Sequence, residues 1–243
     1  MASLENDRLE ESKEIAECKF CNSHGSNLDH FKEHGVDRID LARLTETENF
    51  YVIPDSLPVH PEGLHVLLVP KIHLYSFASL PDRIDLEAQA QIDAMSNFFG
   101  GDVAIFEHGG VKHGGSTMSV YHAHAHMIAA EGNDVLGFVK DTLDSHQLPW
   151  EPVIPNHHSV PTIREAFQGH GYFFIQHNNS AIISHDPSDA FPSQMTQRTM
   201  SQLLTGEVVD WKRVPEIPRF ADLSVNRVST LLRKFNNYRN GKM

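Results

Sequence analysis

His122, His124 and His126 alternate along Val120-Tyr121-His122-Ala123-His124-Ala125-His126-Met127-Ile128. On an extended strand successive side chains point to opposite faces, so the three imidazoles share one face. Tyr121, Ala123, Ala125 and Met127 share the other and can enter a core. A neutral imidazole can act as a nucleophile or ligate a metal through its lone pair, while its second nitrogen donates. The spacing does not decide the matter alone. With 17 His in 243 residues, an HxHxH pattern arises by chance with a probability of ~0.08.

A second cluster is the knuckle Cys18-Lys19-Phe20-Cys21, which contains the only two cysteines of the chain. Two thiols so close in an intracellular chain suit a metal or a redox pair better than a structural disulfide. Two nitrogens from adjoining strands would complete a tetrahedral set, and His65, His73, His122 and His126 are the candidates by position. Four protein ligands leave no coordination position open, so such a zinc is structural. Two reduced, buried thiols are the plainer alternative. Ahead of the histidines, Gly114, Gly115, Ser116, Thr117 and Ser119 offer backbone N–H groups and hydroxyls that suit phosphate oxygens. His24, His30 and His34 fall in a polar stretch and are read as solvated.

The elements that must position these residues read as an α+β plan, a mostly antiparallel sheet with a packed helix. Residues 48–54 and 63–70 form an antiparallel pair, the second apolar on both faces and therefore central. A helical pattern opens at Pro81-Asp82 and runs to Asn97, with Ile84, Leu86, Ala90, Ile92 and Met95 toward the core. Residues 103–107 form a short strand before the glycine loop and the histidine strand. Residues 135–170 read as irregular, 172–184 as a hairpin with a polar turn, and 193–204 and 223–237 as two helices. The expected division is a polar tail over 1–14, an α+β domain carrying the histidines over 15–134, and a mixed α/β C-terminal extension (hairpin plus two helices) over 135–243.

Composition narrows the class. The formal charge of −12 gives no face-wide basic footprint, so neither nucleic acid nor an anionic membrane is the expected partner. The charged N-terminus lacks the apolar stretch of a signal peptide, and no run approaches the ~18 apolar residues of a membrane span. A soluble, cytoplasmic protein is expected.

Four stretches together resemble the histidine-triad nucleotide hydrolases and transferases. His122-Ala123-His124-Ala125-His126-Met127-Ile128 is similar to their HφHφHφφ signature, and Cys18-Lys19-Phe20-Cys21 to the CxFC opening of zinc-bearing members. The run from Gly63-Leu64-His65 to Val69-Pro70-Lys71-Ile72-His73 resembles their GH-x-L-V-I-P-K-x-H strand, and residues 114–122 resemble the approach to the triad. The resemblance implies a zinc held by Cys18, Cys21, His73 and His122, and His124 as nucleophile toward an α-phosphate. It implies that His126 and Ser119 hold phosphate oxygens, that His65 sits beside the nucleophile, and that a homodimer forms. It further implies Asp55 at the ribose hydroxyls and Phe20 and Ile53 at the base. The chain departs from the pattern at Phe106, where many members place a phosphate-touching Asn, and at Met118, where Gln is usual. His108, two residues on, is the candidate to replace that Asn.

Two other readings compete. His124-Ala125-His126, four residues and Glu131 fit the metal spacing of a cupin-like enzyme. Phe106 and Met118 suit a nucleotide-binding module without turnover.

Overall fold

The computed structural model describes residues 15–16, 18, 20–21, 43–110, 122–155, 159–185, 191–192, 194–208 and 218–242. Short strands β1 (Thr45–Glu46) and β2 (Phe50–Pro54) lead to the wholly buried β3 (His65–Pro70). Helix α1 (Asp85–Phe98), β4 (Val103–Gly109) and β5 (Ala125–Ala129) follow. Beyond them come α2 (Val135–Ser145), β6 (Glu151–Val153), α3 (Ser159–Ala166), the hairpin β7 (Tyr172–His177) and β8 (Ser180–His185), α4 (Met195–Thr205) and α5 (Pro218–Arg239). The strands join one antiparallel sheet in the order β1-β2-β3-β5-β4-β7-β8-β6. This is an α+β fold. No helix among the described residues is long and apolar enough to cross a membrane.

Alternation along the central strands builds two layers. On one face Val103, Ile105, Ala125 and Met127 meet α1, α3 and α5, which bury Met95, Ile163 and Leu231 there. On the other face Ala104, Phe106 and Ile128 meet α2 and α4 through Val135, Val139, Met195 and Met200. Beside them on β2 and β3, Tyr51, Leu67 and Val69 form a separate apolar cluster with Phe20 and Ile53. His126 lies across from Leu67 on β3 and Phe106 on β4, so it shares this second face.

Three expectations need correction. The histidine strand begins at Ala125, so His122 and His124 precede it, although Ala123 and Ala125 still enter the larger core. Of the expected core contacts, Ile84, Ile92 and Met95 are buried, but Leu86 is 72% exposed and Ala90 also faces solvent. A 3₁₀ turn over Asp82–Ile84 resets the phase, so Ala88, Gln91, Met95 and Phe98 take the inner positions. Residues 135–170 are not irregular. Asp134 caps α2 by accepting the Gly137 N–H, and Pro161 sits in the first turn of α3, where its missing N–H is harmless. The glycine loop (Gly114, Gly115, Ser116, Thr117, Met118, Ser119), the tail over 1–14 and His24, His30 and His34 lie outside the described residues.

Candidate functional site

After β3 the chain runs alongside the histidine segment, tied to it by the Ala123 N–H, which donates to the Leu74 carbonyl at 2.6 Å. That brings the His73 and His122 rings to 5.0 Å between centroids. The cysteine knuckle closes on both. Cys21 Sγ lies 3.1 Å from His73 Nδ1 and 3.4 Å from His122 Nδ1, and Cys18 Sγ lies 3.4 Å from His122 Nδ1. His122 Nε2–H donates to the Pro70 carbonyl at 2.8 Å, which turns the Nδ1 lone pair toward the sulfurs. The ligand atoms of Cys18, Cys21, His73 and His122 all lie within 4.8 Å of one another. Around a tetrahedral zinc, bonds of about 2.3 Å to sulfur and 2.0 Å to nitrogen separate the two elements by about 3.5 Å. The donors and their spacing are therefore compatible with zinc. Burial, with Cys18 adding to it, pushes the Cys21 thiol up to about 12, so a bound cation is what would hold it as thiolate.

His124 is half-buried, and its Nδ1–H donates to the His122 carbonyl at 2.7 Å, which leaves the lone pair on Nε2. Burial, helped by the His126 ring at 5.1 Å, holds His124 down at about 3, so the ring is neutral at pH 7.

Behind it runs a buried hydrogen-bonded chain. The Val59 N–H donates to His65 Nδ1 at 3.3 Å, which puts the His65 proton on Nε2. That N–H faces His126 Nδ1 at 2.9 Å and Asp55 Oδ2 at 3.4 Å. His126 thus accepts at Nδ1 and carries its own proton on Nε2. Asp55 is 5% exposed; its Oδ1 accepts the Leu57 N–H at 2.7 Å and its Oδ2 lies 3.5 Å from His126 Nδ1. Burial raises Asp55, but the His65 and His126 rings lower it further, leaving it well below the usual carboxylate range. Burial also holds His65 down at about 3. Asp55, His65 and His126 are close enough together to hold a metal. A ligating His65 Nε2 would need its proton on Nδ1, against the Val59 N–H, so the trio reads as a hydrogen-bonded chain.

Phe20 and Ile53 flank the histidines in the small apolar cluster, with the Phe20 ring 5.3 Å from that of His124. The sequence reading missed Tyr51, Leu67 and Val69 of this cluster. Its signal was the alternation of Tyr51 and Ile53 along β2, which sets both on the histidine face. Tyr51 O–H donates to the Phe20 carbonyl at 3.1 Å and pins the knuckle to the sheet. On the other side, Phe106 is fully buried and presents hydrocarbon, with no polar atom for a ligand. The His108 ring packs 5.3 Å from Phe191 and 6.3 Å from Phe173, both from the C-terminal part of the chain. Glu131 turns away and lies 3.1 Å from His60 Nε2, so His124, His126 and Glu131 do not assemble the cupin-like set. Ser119 lies outside the described residues.

No family model matches the chain, and no curated protein matches it. Solved structures do. A HIT-like protein from Bartonella henselae with unknown ligand is 22% identical, covering 37% of this chain and 71% of that one with a TM-score of 0.30. A HIT family member from Bacillus subtilis is 24% identical over 48% and 74%, with a TM-score of 0.33. A zinc-bound histidine triad family protein from Mycobacterium smegmatis is 22% identical over 49% and 79%, with a TM-score of 0.29. All three are histidine-triad proteins, and each overlaps less than half of this chain.

Proposed function

We propose that this chain is a histidine-triad nucleotide hydrolase or nucleotidyltransferase, acting on a nucleoside phosphoramidate, a dinucleoside polyphosphate or a related nucleotide. The observation that carries the reading is the His124 ring. Its Nδ1 is tied to the His122 carbonyl at 2.7 Å, which leaves the lone pair on Nε2, and the His126 ring lies 5.1 Å away. Nε2 forms a bond to the α-phosphorus as the bond from phosphorus to the leaving group breaks; the leaving group departs with that electron pair and, where it is an amine, takes up a proton from solvent. Water or an acceptor then adds to phosphorus, its proton passes to solvent, and the N–P electron pair returns to Nε2. His126, with its proton on Nε2, and Ser119 hold phosphate oxygens, and the base rests against Phe20 and Ile53. His108 is the nearest candidate for a polar contact from β4. Asp55, with Oδ1 engaged by the Leu57 N–H and Oδ2 facing the His65 Nε2–H, is better suited to holding His65 than to a ribose.

Cys18, Cys21, His73 and His122 would hold a structural zinc. With four protein ligands it would fasten the knuckle to the histidine segment and take no part in bond making.

The test compares AMP release from an adenosine phosphoramidate by wild type and His124→Ala, with acid-quenched protein analysed for AMP on His124. The variant is expected to keep nucleotide affinity within about an order of magnitude and to lose turnover by several orders. Equal rates would overturn the nucleophile. The buried Phe106 favours one second reading, a nucleotide-binding module. Nucleotide binding with neither AMP release nor AMP on His124 selects it.

A further inference from the structure

The loop over residues 55–64 has two sides. Its inner side carries Asp55 and presents the Val59 N–H to His65 Nδ1 at 3.3 Å. The Val59 side chain is buried in the cluster that contains Ile128 and Val135. Its outer side is gripped by α5, more than 160 residues later in sequence. Arg227 Nη1 donates to the Pro58 carbonyl at 2.7 Å, next to Val59. Lys234 pairs with Glu62. Gly63, at φ +80°, lies so close to the helix that an added Cβ would sit 2.1 Å from the Arg227 carbonyl oxygen. Arg227 is half-buried and leaves Nε buried without a partner, so the side chain is held at Pro58 despite a desolvation cost.

We propose that Arg227 is a positioning residue: through Pro58 and the 55–64 loop it sets the Val59 N–H against His65, and so fixes which nitrogens of His65 and His126 carry protons. The effect on turnover rests on the nucleotide reading above; the effect on the imidazoles does not. With Pro58 released, the Val59 N–H no longer enforces one tautomer of His65. His126 then presents its Nε2–H only part of the time, and phosphate positioning suffers.

The experiment uses the full chain with ¹⁵N-labelled histidine, as wild type, Arg227→Ala, Arg227→Lys and Lys234→Ala. The ring-nitrogen resonances are recorded together with kcat, KM and melting temperature for an adenosine phosphoramidate. Arg227→Ala is expected to move the His65 and His126 resonances toward a mixture of tautomers while those of His73 stay in place. It should lower kcat about tenfold to a hundredfold with KM within about threefold. Arg227→Lys, which keeps a donor for Pro58, restores most of both signals. Lys234→Ala, at the exposed end of the contact, leaves both near wild type. Unmoved His65 resonances in a folded Arg227→Ala overturn the proposal, as does a shift in those resonances with an unchanged rate. Should wild type lack turnover, the nucleotide reading fails, while the ring resonances still decide the role of Arg227. If Arg227→Ala does not fold, Arg227→Gln decides by the same readings.

Discussion

One carbonyl decides what His124 can do. Because the His122 oxygen accepts the Nδ1–H at 2.7 Å, the ring is left with its electron pair on the other nitrogen. The same logic holds at His122, where Pro70 accepts the Nε2–H and turns Nδ1 toward two sulfurs. Wild type is therefore expected to carry one zinc per chain by elemental analysis. Cys21→Ser should lose it and melt well below wild type, since a structural zinc contributes its binding energy to folding; full zinc occupancy in the variant would refute the ligand set. Glu107 makes a separate prediction. Its buried carboxyl accepts the Tyr172 O–H at 2.5 Å and the Phe77 N–H at 2.6 Å, yet burial outweighs both and raises it from 4.5 to about 8. The folded protein thus binds this proton more tightly than the unfolded chain, so stability is lost as pH climbs from about 4.5 to 8. His65, held neutral, acts in the other direction: its contribution is complete above pH 6.5 and fades as pH falls toward about 3. Between pH 6.5 and 8 the fall in melting temperature should therefore be steeper in wild type than in Glu107→Gln. Parallel curves would refute a protonated Glu107.

Among the elements, tight approaches matter more than propensity. Gly109 at the end of β4 lies under the Tyr172 ring of β7, where an added Cβ would meet Tyr172 Cζ at 2.3 Å. Gly109→Ala is expected to destabilise by about 1–3 kcal/mol through overpacking, read as a lower denaturant midpoint. Asp134→Ala removes the α2 cap and should cost about 1 kcal/mol in the same assay. How readable an element was depended on how local its signal is. The apolar run Val66–Val69 in β3 and the hairpin turn at Asn178, with φ 54°, stood out. Helix α2 did not, although Asp134 followed by Val135, Val139 and Leu143 carries a cap and a helical period. Prolines further on drew the reading toward irregular structure, whereas Pro161 falls where a helix tolerates it.

Over the whole molecule, β7 occupies the outer edge of β4 along six residue pairs, from Ala104–His177 to Gly109–Tyr172. The remaining sheet edges are β1, of two residues, and β6, of three with Pro152 among them. Among the described residues, such edges resist pairing with another chain. A chain cut after residue 134 would bare β4 and the buried faces of Phe106 and Ile128. It is expected to aggregate or lose cooperative melting, and a soluble, cooperatively folded fragment would refute that dependence.

The pairing of the two cysteines and the alternation of the histidines marked candidate donors but left His65, His73, His122 and His126 open as partners of the thiols, and the period of two already put Ala123, Ala125 and Met127 into a core. Those properties belong to a few consecutive residues, so local stereochemistry settles them. That Glu131 turns to His60, that Asp55 stands behind His65 and His126, and that α5 leans on Gly63 were decided only by tertiary structure. Each depends on which apolar faces the whole chain can bury together, a choice that involves residues from dozens to more than a hundred positions apart.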